Sequence, residues 1–245
     1  MHRSVEKQSA TTIPKAFGGG CTCRLTHEGT EVSSFQDYVF HMQPYNDYHW
    51  ILASASPRRR QLLTDAGFRF DVISASDAAE DTIRTGESPA QYVMRQARQK
   101  ADDVAGLFRR GEIAFADAAH RPIIVIGCDT VAVCDGTILG KPQNIGDAGR
   151  MLRLLGGRQH EALSGLCLHD IMTNKTRVEV ERTILYMHAM SDTVLEAYLA
   201  SRQWEGKAGA FGCQDGLDWL EIVEGSESNV VGLPLELLGR VVSGW

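Results

Sequence analysis

No apolar run in the chain is long enough to cross a membrane; stretches such as Ile123 to Ile126 are strand-sized. Positive charge is in deficit. With 25 bases against 31 acids the formal net charge is −6, which excludes the broad basic surface of a nucleic-acid coat. Cysteine is sparse. Cys21, Cys23, Cys128, Cys134, Cys167 and Cys213 are scattered through 245 residues, unlike the dense framework of a small secreted scaffold. Cys21 and Cys23 lack a second close pair. The eight histidines show no pair at metal-ligand spacing, which speaks against a zinc centre. Scattered thiols of this kind read as reduced, which points to a cytoplasmic chain. What is present is ordinary for a globular protein: 43% hydrophobic and 23% charged residues, enough for a sizeable core.

The texture changes near residue 48. Residues 1–48 show no sustained period of 2 or 3.6, carry Gly18-Gly19-Gly20 and a scatter of Ser and Thr, and read as an unstructured N-terminal extension. No continuous apolar segment there matches a secretory signal. From residue 49 to 245 strands and helices alternate. Trp50 to Ala53 reads as a buried strand. Ser56-Pro57 opens a helix with Leu62, Leu63 and Ala66 inward and Gly67 as its stop. Phe68 to Ser74 reads as a second strand. Ser88-Pro89 opens a second helix with Val93, Ala97, Ala101, Val104 and Phe108 on its inner stripe. Pro122 to Gly127 reads as a buried strand, and Val131 to Cys134 as a separate one turned by Asp135-Gly136. Asp147 to Leu155 is expected to be helical. Leu163 to His169 and Arg177 to Met187 are expected to pair as strands. Ser191 caps a further helix, with Met190 and Leu195 as a hydrophobic staple. The class is α/β with a mixed central sheet in a single domain.

Several segments carry chemistry. Arg58, Arg59 and Arg60 fall in the first turn of the Ser-Pro helix, where the helix dipole disfavours cations. Three mismatched arginines beside free amides suit a docking phosphate; a solvated basic patch is the bland alternative. Asp129 directly follows the apolar run ending at Cys128, so it is expected at a strand end, where α/β enzymes place metal-binding or proton-accepting groups. Gly136 to Pro142 looks like a phosphate loop but fails the pattern. Only three residues separate its glycines and Pro follows Lys141. Lys141 still stands as a positioned point charge. After Lys207 the small residues Ala208, Gly209, Ala210 and Gly212 permit close backbone approach to a ligand. Gln214 has the donor and acceptor face to read a base or ribose.

These motifs occur together and in order: LASASPRR (Leu52 to Arg59), YVMRQARQKA (Tyr92 to Ala101), GCDTVAV (Gly127 to Val133), ILGKP (Ile138 to Pro142), KAGAFG with Gln214, and GSESNVVGLPL (Gly225 to Leu235). The chain from about Ile51 to Leu238 resembles the Maf family of nucleoside triphosphate pyrophosphatases. The resemblance implies helices around a mixed sheet with a deep cleft, similar to the inosine-triphosphate pyrophosphatase architecture. It implies cleavage of a nucleoside triphosphate between the α and β phosphates with a divalent metal, Mg2+ or Mn2+, in a homodimer. Carried over residue by residue, it makes Asp129 the catalytic and metal-binding carboxylate. Arg58, Arg59 and Lys141 would hold phosphates, helped by Ser54, Ser56 and backbone amides. Lys100 stands at the family's functional lysine, although Gln99 replaces the preceding Glu, and an exposed helix lysine is its bland alternative. A second metal-binding acid is expected among Asp77, Glu80 and Asp81. Glu80 is the choice, although the family's acid usually falls about one residue earlier.

Arg58, Thr130 and Gln214 match what members resembling the dTTP/UTP type carry. Members resembling the 7-methyl-GTP type carry Trp, Gln and Glu there. Thr130, Lys207 and Gln214 are accordingly read as substrate-binding, and the substrate as a pyrimidine triphosphate, including modified ones. Two alternatives stay open at this point: the same reaction on a purine or 7-methyl-GTP nucleotide, and a non-catalytic nucleotide sensor that regulates division. Retention of Asp129 with the cations favours an enzyme, because a pure binder does not need the acid.

Overall fold

The computed structural model describes residues 25–27, 30–32, 47–115 and 121–245. Within the segment read as unstructured, β1 (Leu25–His27) and β2 (Thr30–Val32) pair antiparallel, apart from the main sheet. Each has three residues, too few for a period to show in sequence. The rest of that reading, up to residue 46, lies outside the described residues.

The main sheet is built on β5 (Ile123–Cys134), whose first six residues are all buried. A strand covered on both faces reads as a continuous apolar run. Beside it lies β3 (His49–Leu52), and beyond that β4 (Phe70–Val72); both pairings of β3 are parallel. Parallel neighbours need crossovers. Two helices supply them, α1 (Pro57–Asp65) and α2 (Pro89–Arg109). On the other side β7 (Arg158–Asp170), β8 (Thr176–Met187) and β9 (Leu220–Glu224) follow antiparallel, and β6 (Thr137–Leu139) returns on β5. The strand order is β4-β3-β5-β7-β8-β9.

Local chemistry sets the helix ends. Ser56 accepts from the Arg59 amide with Pro57 at the first position, and Gly67 follows the last turn with φ 77°. Ser88 and Gln91 form a reciprocal capping box on α2. The inner stripe of α2 runs as expected except at its end, where Leu107 is buried and Phe108 only half-buried. Helices α3 (Ile145–Leu155) and α4 (Asp192–Ser201) pack at the far end of the sheet, with Met190 and Leu195 in one cluster. Two short helices, α5 (Glu227–Val231) and α6 (Leu235–Ser243), close the chain.

The core alternates with strand parity. Trp50, Leu52, Ile124 and Ile126 face Leu63 of α1 and Leu237, Leu238 and Val241 of α6. Ile51, Ala53, Ile123 and Val125 face Ala97, Ala101 and Val104 of α2. Among the described residues no helix is long and apolar enough to cross a membrane.

One expectation is corrected. The two strands expected around Asp129 are a single strand of 12 residues. The ladder with β7 runs unbroken from Ile124–Asp170 to Val133–Glu161. The Asp129-Thr130 pair interrupts the apolar pattern but not the hydrogen bonding, so Asp129 lies inside a strand and not at its end.

Candidate active site

A gap in the sheet makes the site. On one edge of β5, β3 pairs no further than Leu52–Ile126, and β6 joins only at Ala132. Residues 127–131 face the opening between them. Asp129 therefore keeps its place beside the carboxyl end of a parallel strand, where α/β sheets bind ligands. As strand neighbours, Asp129 and Thr130 point to opposite faces.

On the Asp129 face, α2 lies unusually close to the sheet. A methyl added to Gly127 would stand 2.1 Å from the Ala97 carbonyl oxygen, and one on Gly165 would stand 2.1 Å from that of Val93. Only glycine tolerates that approach. It brings Lys100 down to the strand. The Lys100 Nζ donates to Asp129 Oδ1 at 2.6 Å and pairs with Glu80 Oε1 at 3.0 Å. Lys100 is thus a buried ion-pair partner, 6% exposed, and not an exposed helix lysine. Glu80, whose side chain is 60% exposed, follows the short turn Asp77–Ala79. The Lys100 ammonium holds its carboxyl below the usual range, with weaker pulls from Lys141 and Arg59.

On the Thr130 face, Arg59 is fixed by three acceptors. Its Nε donates to the Gly232 carbonyl at 2.7 Å, Nη1 to Ser54 Oγ at 3.1 Å and Nη2 to Thr130 Oγ1 at 3.3 Å. Thr130 and Ser164 share a hydroxyl contact of 2.8 Å. Ser54 Oγ also accepts from the Ser56 amide at 3.2 Å. Arg58 Nη2 donates to the Gly206 carbonyl at 2.8 Å, reaching across to the segment after α4. Burial, then the neighbouring Arg59, lowers the Arg58 pKa from its ordinary value. The first turn of α1 holds no acid to offset these cations.

The third wall is the segment 205–214. Lys207 is buried and pairs with both carboxylate oxygens of Asp215, which also accepts from Tyr198 Oη at 2.9 Å. Burial lowers the Lys207 pKa, against the pull of Asp215. Gln214 folds over Gly212, and its Oε1 is buried without a hydrogen-bond partner among the described residues.

A cavity of about 490 Å³ joins these walls. Ser54, Ser56, Arg58, Arg59, Glu80, Lys100, Asp129, Thr130, Lys141, Lys207 and Gln214 all line it. Arg60 does not, and neither does Asp81, which turns to Arg84 and Arg95. Sequence reasoning gave no site role to Glu205 and Phe211, which stand in the lining, and missed Asp215 behind Lys207. They sit in a Gly-punctuated segment with no period to mark an inner face. Lys207 and Asp215 meet across two short 3-10 turns, Ala208–Ala210 and Cys213–Asp215, which no sequence period marks.

Asp129 and Glu80 offer hard oxygen donors. Among the described residues no group of three or more His, Cys, Asp or Glu converges as a preformed metal cage. Asp77 also lines the cavity, but Asp129 and Glu80 are the two that meet at Lys100. Two such carboxylates suit Mg2+, which keeps several waters and takes its other ligands from substrate phosphates. The donor set fits such a metal.

The family model for "Maf-like protein" matches residues 49–245. A dTTP/UTP pyrophosphatase of Rhodopirellula baltica is 46% identical over 196 residues, covering 80% of this chain and 81% of the relative. Similar proteins of the same name come from Geotalea uraniireducens, 40% identical over 76% of this chain and 89% of the relative, and Syntrophomonas wolfei, 37% identical over 75% and 90%. With its ordered motifs brought to one cavity and a match across the whole region from residue 49, the chain belongs to the Maf-like protein family.

Proposed function

We propose that this chain is a nucleoside triphosphate pyrophosphatase. Water is added across the α–β anhydride of dTTP, UTP or a modified pyrimidine triphosphate, giving nucleoside monophosphate and pyrophosphate. The observation that carries the reading is the joining, in one cavity, of the Glu80–Lys100–Asp129 cluster with the two arginines at the start of α1. Hydrolysis of a polyphosphate needs cations on the developing charge and a carboxylate on the water.

In this reading Asp129 orients the attacking water and accepts its proton. Lys100 keeps Asp129 in place and adds a positive charge beside the reacting phosphate. Arg58, Arg59 and Lys141 bind phosphate oxygens, with Ser54, Ser56 and the Arg58 main-chain N–H completing the cradle. Asp129 and Glu80 hold a divalent cation, Mg2+ or Mn2+, which supplies Lewis-acid stabilisation of the phosphate charge when bound. Thr130, Lys207 and Gln214 shape the nucleoside end. The unpartnered Gln214 acceptor suits an N–H donor on a base. The pyrimidine assignment is supported by the names of the relatives and by Arg58, Thr130 and Gln214 on the cavity wall.

The same proposal takes 49–245 as the catalytic domain, preceded by the 1–48 extension, in a cytoplasmic homodimer. The free thiols of Cys128, Cys134 and Cys167, all buried, support a reducing setting.

The test is pyrophosphate release from a panel of dTTP, UTP, CTP, ATP, GTP and 7-methyl-GTP with Mg2+. The expected result is turnover concentrated on dTTP and UTP. Preference for 7-methyl-GTP or a purine would overturn the substrate. Nucleotide binding with no release from any of them would establish a sensor instead.

A further inference from the structure

Gln96 is 3% exposed on the inner side of α2, among side chains that are otherwise mostly apolar. A buried amide is costly unless its hydrogen bonds are made. Here two of the three are made to one residue. Gln96 Oε1 accepts from the Asp81 N–H at 3.2 Å, and Nε2 donates to the Asp81 carbonyl at 2.6 Å and to Tyr92 Oη at 3.0 Å. The side chain thus pairs with both main-chain groups of a single residue, as a strand neighbour would. That residue directly follows Glu80.

Gln96 and Lys100 are four residues apart on α2 and share a face. One grips the main chain just after Glu80; the other meets the Glu80 carboxylate. The Glu80 side chain is 60% exposed, so packing does not hold it, and an ion pair with one solvent-exposed partner is a weak tether by itself. No helix or strand covers residues 80–87 to fix it from within. Arg95 secures the segment by side chain through Glu87, the Thr82 carbonyl and the Asp81 carboxylate, and the Glu80 N–H closes the short turn on the Asp77 carbonyl. Gln96 is what ties the Asp81 main chain to α2.

We propose that Gln96 is a positioning residue that fixes the main chain at Asp81 so that Glu80 stays against Lys100 and faces Asp129. The kinetic part of the test rests on the pyrophosphatase reading; the exchange part does not.

The test compares the full chain with Gln96→Met, which keeps length and volume but loses all three bonds, and with Glu80→Gln and the double variant. In nucleotide-free protein, amide exchange at residues 80–83 is expected to quicken about tenfold or more in Gln96→Met, while exchange in β5 is unchanged. On dTTP, Gln96→Met is expected to lose about tenfold in kcat with KM within about twofold. The double variant is expected to be no slower than Glu80→Gln alone, because both changes remove the same contact. Unchanged exchange overturns the proposal. So does faster exchange with full kcat, or losses that multiply in the double variant. A wild-type chain without turnover defeats the pyrophosphatase reading instead, and the exchange result still decides whether Gln96 holds the segment.

Discussion

At the scale of single residues, the site separates charge that is fixed from charge that is free to meet a ligand. Asp129 touches Lys100 and lines the cavity, so Asp129→Asn removes a charge with little change of shape. Loss of a positioned acid–base group costs about 10²–10⁴ in rate. We expect kcat to fall by at least about a hundredfold with dTTP still bound, measured by pyrophosphate release and calorimetry; full turnover would remove Asp129 from its role. Arg58 and Arg60 share one helical turn but only Arg58 lines the cavity. Arg58→Ala is therefore expected to raise KM and lower kcat, while Arg60→Ala leaves kcat/KM within about twofold. Equal effects of the two would mean a general field and not a contact. Arg58, Arg59, Asp129 and Lys141 were legible because each belongs to a short run of residues with marked chemistry. Gln96 and Asp215 were not, since each gains its meaning from a partner brought close only by folding.

At the scale of elements, the decisive feature is the distance between α2 and the sheet. Lys100 reaches Asp129 because Gly127 and Gly165 offer no side chain beneath Ala97 and Val93. Gly127→Ala would force the helix away or distort β5. Overpacking of this kind costs about 1–3 kcal/mol, or a fall in Tm of roughly 2–4 °C per kcal/mol at this size. We expect that loss together with a drop in kcat, as Lys100 is lifted from Asp129. Gly140→Ala, where an added methyl meets nothing within 4 Å, should leave Tm unchanged; equal melting of the two variants would refute the close-approach argument. Most helices were readable from caps and stripes, as with Ser56, Ser88 and Ser191. The continuity of β5 was not. Whether Asp129-Thr130 ends a strand depends on β7 running alongside, and that ladder is formed with residues more than thirty positions later.

At the scale of the whole molecule, the net charge of −6 hides an uneven distribution. With four bases and five acids in residues 1–48, the remainder has 21 bases against 26 acids, yet Arg58, Arg59, Lys100 and Lys141 meet around one cavity. A long polyanion meets a repulsive average, while a short one reaches the local cluster. Acid should expose a second hidden feature. His160 is 3% exposed on β7 and packs edge-on against the Phe211 ring at 5.1 Å. Burial lowers its pKa from 6.5 to about 4. The unfolded chain therefore takes up this proton at a higher pH than the folded one. The stability tied to a neutral His160 is complete above about pH 6.5 and is lost as pH falls toward 4, by at most about 1.4 kcal/mol per unit. Urea midpoints of the wild type should decline through that window, and His160→Leu should flatten the decline even if it is less stable at pH 7. A variant whose midpoint falls with pH as steeply as the wild type would show that other groups carry the acid limb.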